Sequence, residues 1–190
     1  QIDRIDVIHM LGLKGQEKDY NVNPLAAAIS VLDANGTSYG YPYYIGQYIP
    51  YCNGGVIFES DNGGQNGKMV SASQEDSCSW SSAGSWCSSY GNGWVLPSQT
   101  ILMNIYNTKT QINSTLSAHG LKELNATYYW SNDYTSQGFY PNQSNSYREY
   151  KWYYVNMDSG YVCYTATKGE YYGPTQYPTS LYSARAVLAF

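Results

Sequence analysis

The residues that could carry acid–base or nucleophilic chemistry are few, and their spacing matches no catalytic motif. The chain has two histidines, His9 and His119, and four cysteines. It lacks glycine-rich phosphate loops, H-E-x-x-H and G-x-S-x-G. His119 precedes Gly120 at a predicted helix end, where a histidine commonly interacts with the last carbonyls. A nucleophile at Cys87 or Cys163 needs a base and an orienting third group, which the sequence does not mark, so we expect no enzyme activity.

Four acidic residues in the C-terminal third are the candidates for a carboxylate pair of the kind that hydrolyses glycosides. They are Asp133, Glu149, Asp158 and Glu170. Solvated loop positions explain these acids equally well. A glycan hydrolase is therefore kept only as an alternative to a binding function.

Cofactor binding is not expected, although two stretches offer oxygen ligands for a structural calcium ion. Asp61-Asn62-Gly63-Gly64 and Ser131-Asn132-Asp133 could each supply two or three ligands, but neither has the spacing of an EF-hand loop. The four cysteines are Cys52, Cys78, Cys87 and Cys163, and none forms a C-x-x-C pair. Two interpretations remain open: one disulfide that joins Cys78 to Cys87, or four buried free thiols.

Composition excludes several classes of partner. The 190 residues suit one domain, and a net charge of −4 argues against nucleic acid, which needs clustered Lys and Arg. The longest apolar runs, such as Leu25 to Ile29, are too short to cross a bilayer, so no direct membrane insertion is expected. Tyr, Ser, Asn, Gly and Thr dominate, which is typical of adaptable binding surfaces. This composition favours a secreted or cell-surface protein.

Tyrosine is the anomalous residue, and its distribution is uneven. Of the 23 tyrosines, 14 lie from Tyr128 to the C-terminus. Some must replace Phe in a core, and spacing among apolar residues assigns Tyr106, Tyr129 and Tyr153 to that role. Others are flanked by Gly, Pro, Ser and Thr and are predicted to be exposed: Tyr171, Tyr172, Tyr177 and Tyr182. Exposed rings supply large contact areas at low entropic cost, which favours ligand recognition.

The elements expected to position these rings are mainly short strands. Two β-rich runs, Val56 to Glu59 and Lys68 to Ala72, flank a loop rich in Gly and Asn and predict a hairpin. Near the C-terminus, Tyr153, Val155 and Met157 alternate with Trp152, Tyr154 and Asn156. One strand face is thus predicted to pack inward while the other displays rings and an amide. Asp158-Ser159-Gly160 predicts a turn, and Arg185 to Phe190 a terminal strand tied into the sheet.

Helical periodicity is confined to the middle of the chain. Ile101, Leu102, Ile105 and Tyr106 form an apolar stripe on a helix predicted over 99–107, and Pro97-Ser98 offers a cap. A second helix carries Ile112 and Leu116, with Gly120 as its C′ residue. Residues 73–93 are predicted to form a long ordered loop or a short helix that Trp80 and Trp86 pin to the core.

Six short motifs follow one another along the chain from residue 54. They are Gly54-Gly55-Val56-Ile57-Phe58, Gly67-Lys68-Met69-Val70-Ser71, Gly93-Trp94-Val95-Leu96-Pro97-Ser98, Tyr129-Trp130-Ser131, Tyr154-Val155-Asn156 and Arg185-Ala186-Val187-Leu188-Ala189-Phe190. In order and spacing they resemble bacterial C-type-lectin-like domains, and above all the Lcl C-terminal-like family of collagen-like adhesins. The resemblance covers about residues 43 to 190.

The resemblance implies an α+β, C-type-lectin-like fold with short, mostly antiparallel strands, two helices and long irregular loops. It implies a ligand-binding domain over residues 41–190, preceded by a segment, 1–40, that serves attachment or packing. The scaffold would comprise Trp94, Leu96, Pro97, Trp130, Val155, Met157, Val162, Val187 and Phe190. The displayed ligand contacts would be Asn132, Tyr134, Tyr147, Tyr150, Trp152, Tyr154, Tyr164, Tyr171, Tyr172 and Tyr182.

Some proteins of this family are the variable proteins of diversity-generating retroelements, in which adenine-directed mutagenesis rewrites surface codons near the 3′ end of the gene. The Tyr-dense C-terminal third resembles the product of that process. The implied function is a secreted or surface-displayed bacterial or phage protein that binds a protein or carbohydrate ligand on another cell or in the environment. A pilus-tip or adhesive structural subunit, in which residues 1–40 supply or accept a strand, is the alternative.

Overall fold

A computed structural model describes residues 43–50, 52–61, 63–64, 66–137, 148–170, 173–174 and 177–190. This part of the chain has an α+β architecture with two mostly antiparallel sheets and three helices, which confirms the predicted class. The N-terminal segment predicted over residues 1–40 lies outside the described residues. No helix among those described is long and apolar enough to cross a membrane.

Ten strands occur in the described residues. They are β1 (Tyr48–Ile49), β2 (Gly55–Asp61), β3 (Asn66–Ser71), β4 (Glu75–Cys78), β5 (Tyr128–Gln137), β6 (Arg148–Asn156), β7 (Val162–Glu170), β8 (Gly173–Pro174), β9 (Tyr182–Ala184) and β10 (Val187–Ala189). A four-stranded sheet has the order β1-β2-β3-β10, and a six-stranded sheet has the order β4-β9-β5-β6-β7-β8. All pairs are antiparallel except β5 with β9.

The three helices are α1 (Trp80–Tyr90), α2 (Gln99–Asn107) and α3 (Lys109–Ala118). The Ser98 side chain caps α2 by accepting from the Ile101 N–H, and Gly120 follows α3 at φ 66°, so both predicted helices are confirmed. Helix α1 settles the open alternative over residues 73–93 in favour of a helix. The expected number of two helices is therefore wrong, because Ser79 caps a third one.

The strand predictions are largely confirmed. The hairpin is formed by β2 and β3, the turn at 158–160 joins β6 to β7, and β10 pairs with β3. Arg185, which is fully buried, ties the chain before β10 to the rest of the core. Its guanidinium donates to the carbonyls of Ser71 at 2.6 Å, Ala72 at 3.2 Å and Lys122, and to the Gln74 side chain at 3.1 Å. Those acceptors satisfy the buried charge.

In the described part of the chain, two hydrophobic cores lie on opposite faces of the six-stranded sheet. The aromatic core contains Trp94, Trp130, Tyr150 and Trp152, with Ala83, Cys78 and Cys87 beside them. The aliphatic core joins α2 and α3 to both sheets through Val56, Val70, Leu102, Ile105, Ile112, Leu116, Val155 and Met157. Successive side chains of a strand point to opposite faces of the sheet, so neighbouring residues of β6 lie in different cores.

This arrangement corrects the prediction that β6 displays its aromatic face. Tyr150 is 4% exposed and Trp152 is 1% exposed, because α1 and the segment around Tyr177 cover that face. The opposite face, with Val155 and Met157, is buried against α2 as expected.

The scaffold expectation is correct for most of its residues. Trp94, Leu96, Pro97, Trp130, Val155, Met157 and Val187 are buried, and Phe190 is half-buried. Val162 is exposed, so its assignment to the core is wrong: it lies on β7, where no described element covers that face. Of the three tyrosines assigned to the core, Tyr129 is fully buried, whereas Tyr106 and Tyr153 are half-buried.

The cysteines are free thiols, so the disulfide between Cys78 and Cys87 is not formed. Cys78 and Cys87 are buried, and Cys52 and Cys163 are half-buried, which makes the alternative of four buried thiols correct for two of them.

Candidate ligand-binding site

A wide bulge in β5 begins the candidate site. Trp130 pairs with Tyr154 and Tyr134 pairs with Trp152, so Ser131, Asn132 and Asp133 all lie opposite Tyr153. Bulges of this kind bend a strand and redirect side chains away from the regular ladder. Here the bulge directs residues 131–133 towards the loop that precedes α2.

Hydrogen bonds hold the bulge in place. The Asn132 backbone N–H donates to the Pro97 carbonyl at 2.8 Å, and the Ser131 hydroxyl donates to the Tyr153 carbonyl at 3.0 Å. The Asp133 carboxylate accepts from the Gln99 N–H at 2.6 Å, at the positive end of the α2 dipole. This bonding leaves Asn132 fixed by its backbone, with its side chain exposed.

An aromatic stack rises from the buried Trp152 beside this bulge. The Trp152 ring contacts Trp80 at 4.5 Å and Tyr177 at 5.3 Å between centroids, and Tyr134 stacks on it at 5.2 Å with 24° between planes. Trp80 and Tyr177 are nearly parallel, at 10° and 6.1 Å. Tyr134 and Tyr177 are each 54% exposed, so the stack has a buried base and an exposed rim.

A cleft of about 250 Å³ opens next to this rim and is called the Trp80 cleft below. The described residues that line it are uncharged: Trp80, Ser81, Gly84, Ser88, Val95, Leu96 and Asn132. The Trp80 Nε1 donates to the Ser131 carbonyl at 2.8 Å, which joins the indole to the bulge. Val95 exchanges two backbone hydrogen bonds with Val187, at 3.0 and 2.9 Å, which fixes the opposite wall.

The predicted contact residues do not share one surface. Asn132 and Tyr134 lie at the Trp80 cleft, whereas Tyr164 is exposed on the opposite face of the sheet, where it contacts Tyr153 and Lys151. Tyr150 and Trp152 are buried, so their predicted display is wrong. Tyr147, Tyr171 and Tyr172 lie outside the described residues.

The remaining predicted contacts, Tyr154 and Tyr182, are half-buried in a second ring cluster with Tyr128 and Trp130. Their ring centroids are 4.4 Å apart. Burial and the hydrogen bond with Tyr182 raise the pKa of the Tyr154 hydroxyl, so it stays neutral at physiological pH. Both rings are half-buried, so each offers only part of its surface to a ligand.

Sequence reasoning missed several residues of the site. Tyr177 was predicted to be exposed but was not assigned to the contact set, and Trp80 was expected only to pin its segment to the core. Ser81, Gly84 and Ser88 share one face of α1 at helical spacing, and that spacing was the available signal for a wall of small residues.

The surroundings of the buried thiols and of the acidic residues do not suit catalysis. Burial raises the pKa of Cys78 to about 11 and of Cys87 to about 12, so neither provides the thiolate that a nucleophile requires. Glu149 and Asp158 stand at opposite ends of β6, about 30 Å apart along the strand, whereas glycosidase carboxylates lie within about 10 Å. Asp133 caps α2. The structure describes the backbone of Glu170 but not its side chain.

Of the two stretches considered for a structural calcium ion, only the second is fully described. Asn62 of the first stretch lies outside the described residues, and the Asp133 carboxylate of the second accepts from the Gln99 N–H. Within the described ranges, no group of three or more His, Cys, Asp or Glu side chains could hold a metal ion.

Comparison of the chain with protein-family models, with curated proteins and with solved structures found no significant match. The resemblance to C-type-lectin-like domains therefore stays a prediction carried by the six sequence motifs. The aromatic stack and the Trp80 cleft are the structural features that bear on function.

Proposed function

We propose that this chain is a secreted or surface-displayed ligand-binding protein of C-type-lectin-like type, and that it binds a protein or glycan through the Trp80 cleft and its aromatic rim. The observation that carries the proposal is the ordered pair of exposed rings, Tyr134 and Tyr177, stacked on the buried Trp152. Diversification of the C-terminal third by a retroelement belongs to the same proposal.

The rings are favourable anchors because the free protein already holds them in place. Tyr134 stacks on Trp152 and contacts Trp80 at 6.2 Å, so binding freezes little additional side-chain freedom. Burial of the exposed half of one tyrosine removes roughly 100 Å² of surface, which stabilises a complex by about 2 kcal/mol. Two such anchors beside a cleft have the character of an interface hot spot.

The lining of the cleft favours an uncharged ligand group. Ser81, Ser88 and Asn132 offer hydroxyls and an amide, and the lining residues that the structure describes include no Lys, Arg, Asp or Glu. A buried charge from the ligand would find no counter-charge there. A neutral side chain of a protein, or the face and hydroxyls of a neutral sugar, fits these groups and the adjacent rings.

The rigid surroundings support binding rather than an adhesive structural role for this surface. The cleft is built from α1, the loop before α2 and the anchored bulge, and its exposed polar side chains, Ser81, Ser88 and Asn132, can change without altering either core. The adhesive-subunit alternative depends on residues 1–40, which lie outside the described residues.

The test uses the full chain and two probes: a printed array of neutral oligosaccharides, and a displayed library of small folded proteins. We expect the parent protein to bind at least one member of one probe. The double variant Tyr134→Ala/Tyr177→Ala should weaken that binding at least tenfold, because both anchors are lost.

A matched double variant, Tyr44→Ala/Tyr161→Ala, removes two exposed tyrosines that do not line the cleft. It should bind like the parent and unfold at nearly the parent temperature. Tyr134→Ala/Tyr177→Ala should unfold at a lower temperature because both rings contact Trp152, so binding is compared per folded molecule. Absence of any binder from both probes, or equal losses in the two double variants, would contradict the proposal.

A further inference from the structure

The outer edge of β7 is the most regular unpaired feature of the described chain. Asn156 donates to the Tyr161 carbonyl at 2.9 Å, and the register pairs Val155 with Val162 and Tyr153 with Tyr164. Hydrogen-bonded and non-bonded pairs alternate along an antiparallel ladder. The N–H and C=O groups of Val162, Tyr164 and Ala166 therefore point away from β6.

No described strand uses these groups. β8 pairs only with Gly169 and Glu170, further along β7. An open edge of this kind can bind another strand, and natural proteins usually protect it with Lys, Pro, a bulge or a covering element. Residues 161–167 include no charged residue and no proline, and their pairing with β6 is regular throughout.

The side chains along this edge are uncharged and accessible. Val162, Tyr164 and Ala166 alternate on one face and are all exposed, and Tyr164 is 52% exposed. The Tyr164 ring is held by Tyr153 at 6.1 Å and by the Lys151 ammonium, 4.6 Å from its centroid. The edge therefore presents an ordered aromatic ring with β-branched and small neighbours, which favour cross-strand packing.

We propose that two copies of this chain associate through β7, pairing antiparallel about a two-fold axis at Tyr164. In that register Tyr164 lies opposite its own copy, and Val162 lies opposite Ala166. All three outward-pointing residues then exchange backbone hydrogen bonds, about six in total, and two six-stranded sheets become one continuous sheet.

The sequence of the edge is what selects a second copy as the occupant. The N–H and C=O of Tyr164 both point outwards. When two copies pair antiparallel about Tyr164, every outward N–H and C=O from Val162 to Ala166 therefore gains a partner. None of the side chains from 161 to 167 is charged, so no residue of the paired stretch itself lies opposite a like charge; the nearest described charge is the Lys151 ammonium, over the Tyr164 ring on the neighbouring strand. Tyr164 lies on the face of the sheet opposite to Trp152, so it belongs to a different surface from the Trp80 cleft.

Sedimentation of the full chain tests the proposal. We expect a monomer–dimer equilibrium at concentrations up to about 100 μM, the range that populates dimers of micromolar affinity. Tyr164→Lys places two ammonium groups opposite each other and should weaken the dimer at least tenfold, and Tyr164→Asp should do the same. Because residue 164 faces its own copy, a mixture of the two variants should form a heterodimer.

The matched control is Tyr44→Lys. It adds the same charge at an exposed tyrosine that precedes β1 and is remote from β7 in sequence, and it should dimerise like the parent. Amide hydrogen exchange locates the contact independently of mutation: the N–H groups of Val162, Tyr164 and Ala166 should become protected as concentration rises. Cys163 and Thr165, which bond to β6, should be protected at all concentrations.

A parent that stays monomeric overturns the proposal, whether the edge is then free, covered by another part of the chain or used by a different protein. So does a dimer that Tyr164→Lys leaves intact, a charge-swapped mixture that gives no heterodimer, or a dimer in which the three outward amides exchange equally fast at all concentrations.

Discussion

The aromatic and aliphatic cores bury the same sheet on opposite faces, yet they relate differently to the surface. The aliphatic core is closed by α2 and α3, and its fully buried residues include Leu102, Ile105, Ile112 and Leu116. The aromatic core continues outwards, from Trp152 through Trp80 to the exposed rims of Tyr134 and Tyr177. One core is only a scaffold, and the other is both a scaffold and the base of the candidate site.

This difference explains where the tyrosines of the C-terminal third are used. Tyr can be buried by its ring and hydrated at its hydroxyl, so a stack of Tyr and Trp can extend from a core into solvent without a break. Aliphatic side chains end a core abruptly, because they have no polar end. Changes in the packing around Trp152 should therefore alter the affinity for a ligand at Tyr134, whereas changes around Ile105 should not.

The largest expected effect comes from one truncation in each core. Trp152→Ala should lower the free energy of unfolding by about 3–5 kcal/mol and Ile105→Ala by about 2–5 kcal/mol, since both side chains are fully buried. Only Trp152→Ala should also abolish ligand capture, because Tyr134 and Tyr177 lose their base. Denaturant unfolding, with array binding normalised to the folded fraction, measures both quantities.

Equal losses of binding per folded molecule would show that the two cores are not functionally distinct. Trp152→Phe provides a milder variant: it keeps a ring under Tyr134 but removes the 3.0 Å hydrogen bond from Nε1 to the Thr167 hydroxyl. We expect it to retain most of the ligand capture.

The aliphatic side was predictable from the sequence because its signals are local. The stripe of Ile101, Leu102 and Ile105 has helical period, and Ser98 caps it. Gly120 and Leu121 close α3 with backbone hydrogen bonds to Ser117 and Leu116, at 3.0 and 2.8 Å, as the glycine position indicates. In such segments, local preference and tertiary packing favour the same structure.

The aromatic side was less predictable, for three physical reasons. Helix α1 consists mainly of Ser, Gly and aromatic residues of modest helix propensity, and tertiary burial of Ala83 and Cys87 stabilises it. Alternation in β6 separates two faces but does not identify which face another element covers. The rim residue Tyr177 contacts Trp80, almost 100 residues earlier in the chain, and no local sequence pattern marks that contact.

Alkaline pH should destabilise the aromatic core through its two buried thiols. Both buried thiols, Cys78 and Cys87, lie in the aromatic core, and burial raises their pKa values from 9.0 to about 11 and about 12. Below pH 9 both folded and unfolded states bind these protons, so their contribution to stability is fully present. As the pH rises from about 9 towards 12, the unfolded state loses them first and stability falls, by about 1.4 kcal/mol per pH unit per thiol.

Denaturant unfolding measured from pH 7 to 11 checks this slope. The double variant Cys78→Ala/Cys87→Ala should flatten it, although Cys52, Tyr43 and Tyr129, whose pKa values burial also raises, keep part of it. Ile105→Val destabilises the aliphatic core without removing a titratable group, so its slope should equal that of the parent. A double variant with the parent slope would contradict the assignment to the thiols.

The smallest changes in stability, of opposite sign, are expected at two glycines. Gly84 lies within α1 in the Trp80 cleft, with open space around its Cβ position, so Gly84→Leu should stabilise the helix by up to about 1 kcal/mol while filling the cleft. Gly120 has equally open surroundings but a φ of 66°, so Gly120→Ala should destabilise the protein by about 1–2 kcal/mol. The midpoint temperature of thermal unfolding should be higher for Gly84→Leu and lower for Gly120→Ala than for the parent. Array binding should be lost only in Gly84→Leu. A Gly84→Leu protein that is more stable and still binds would place the ligand outside the cleft, because the added side chain occupies the space that the ligand would need.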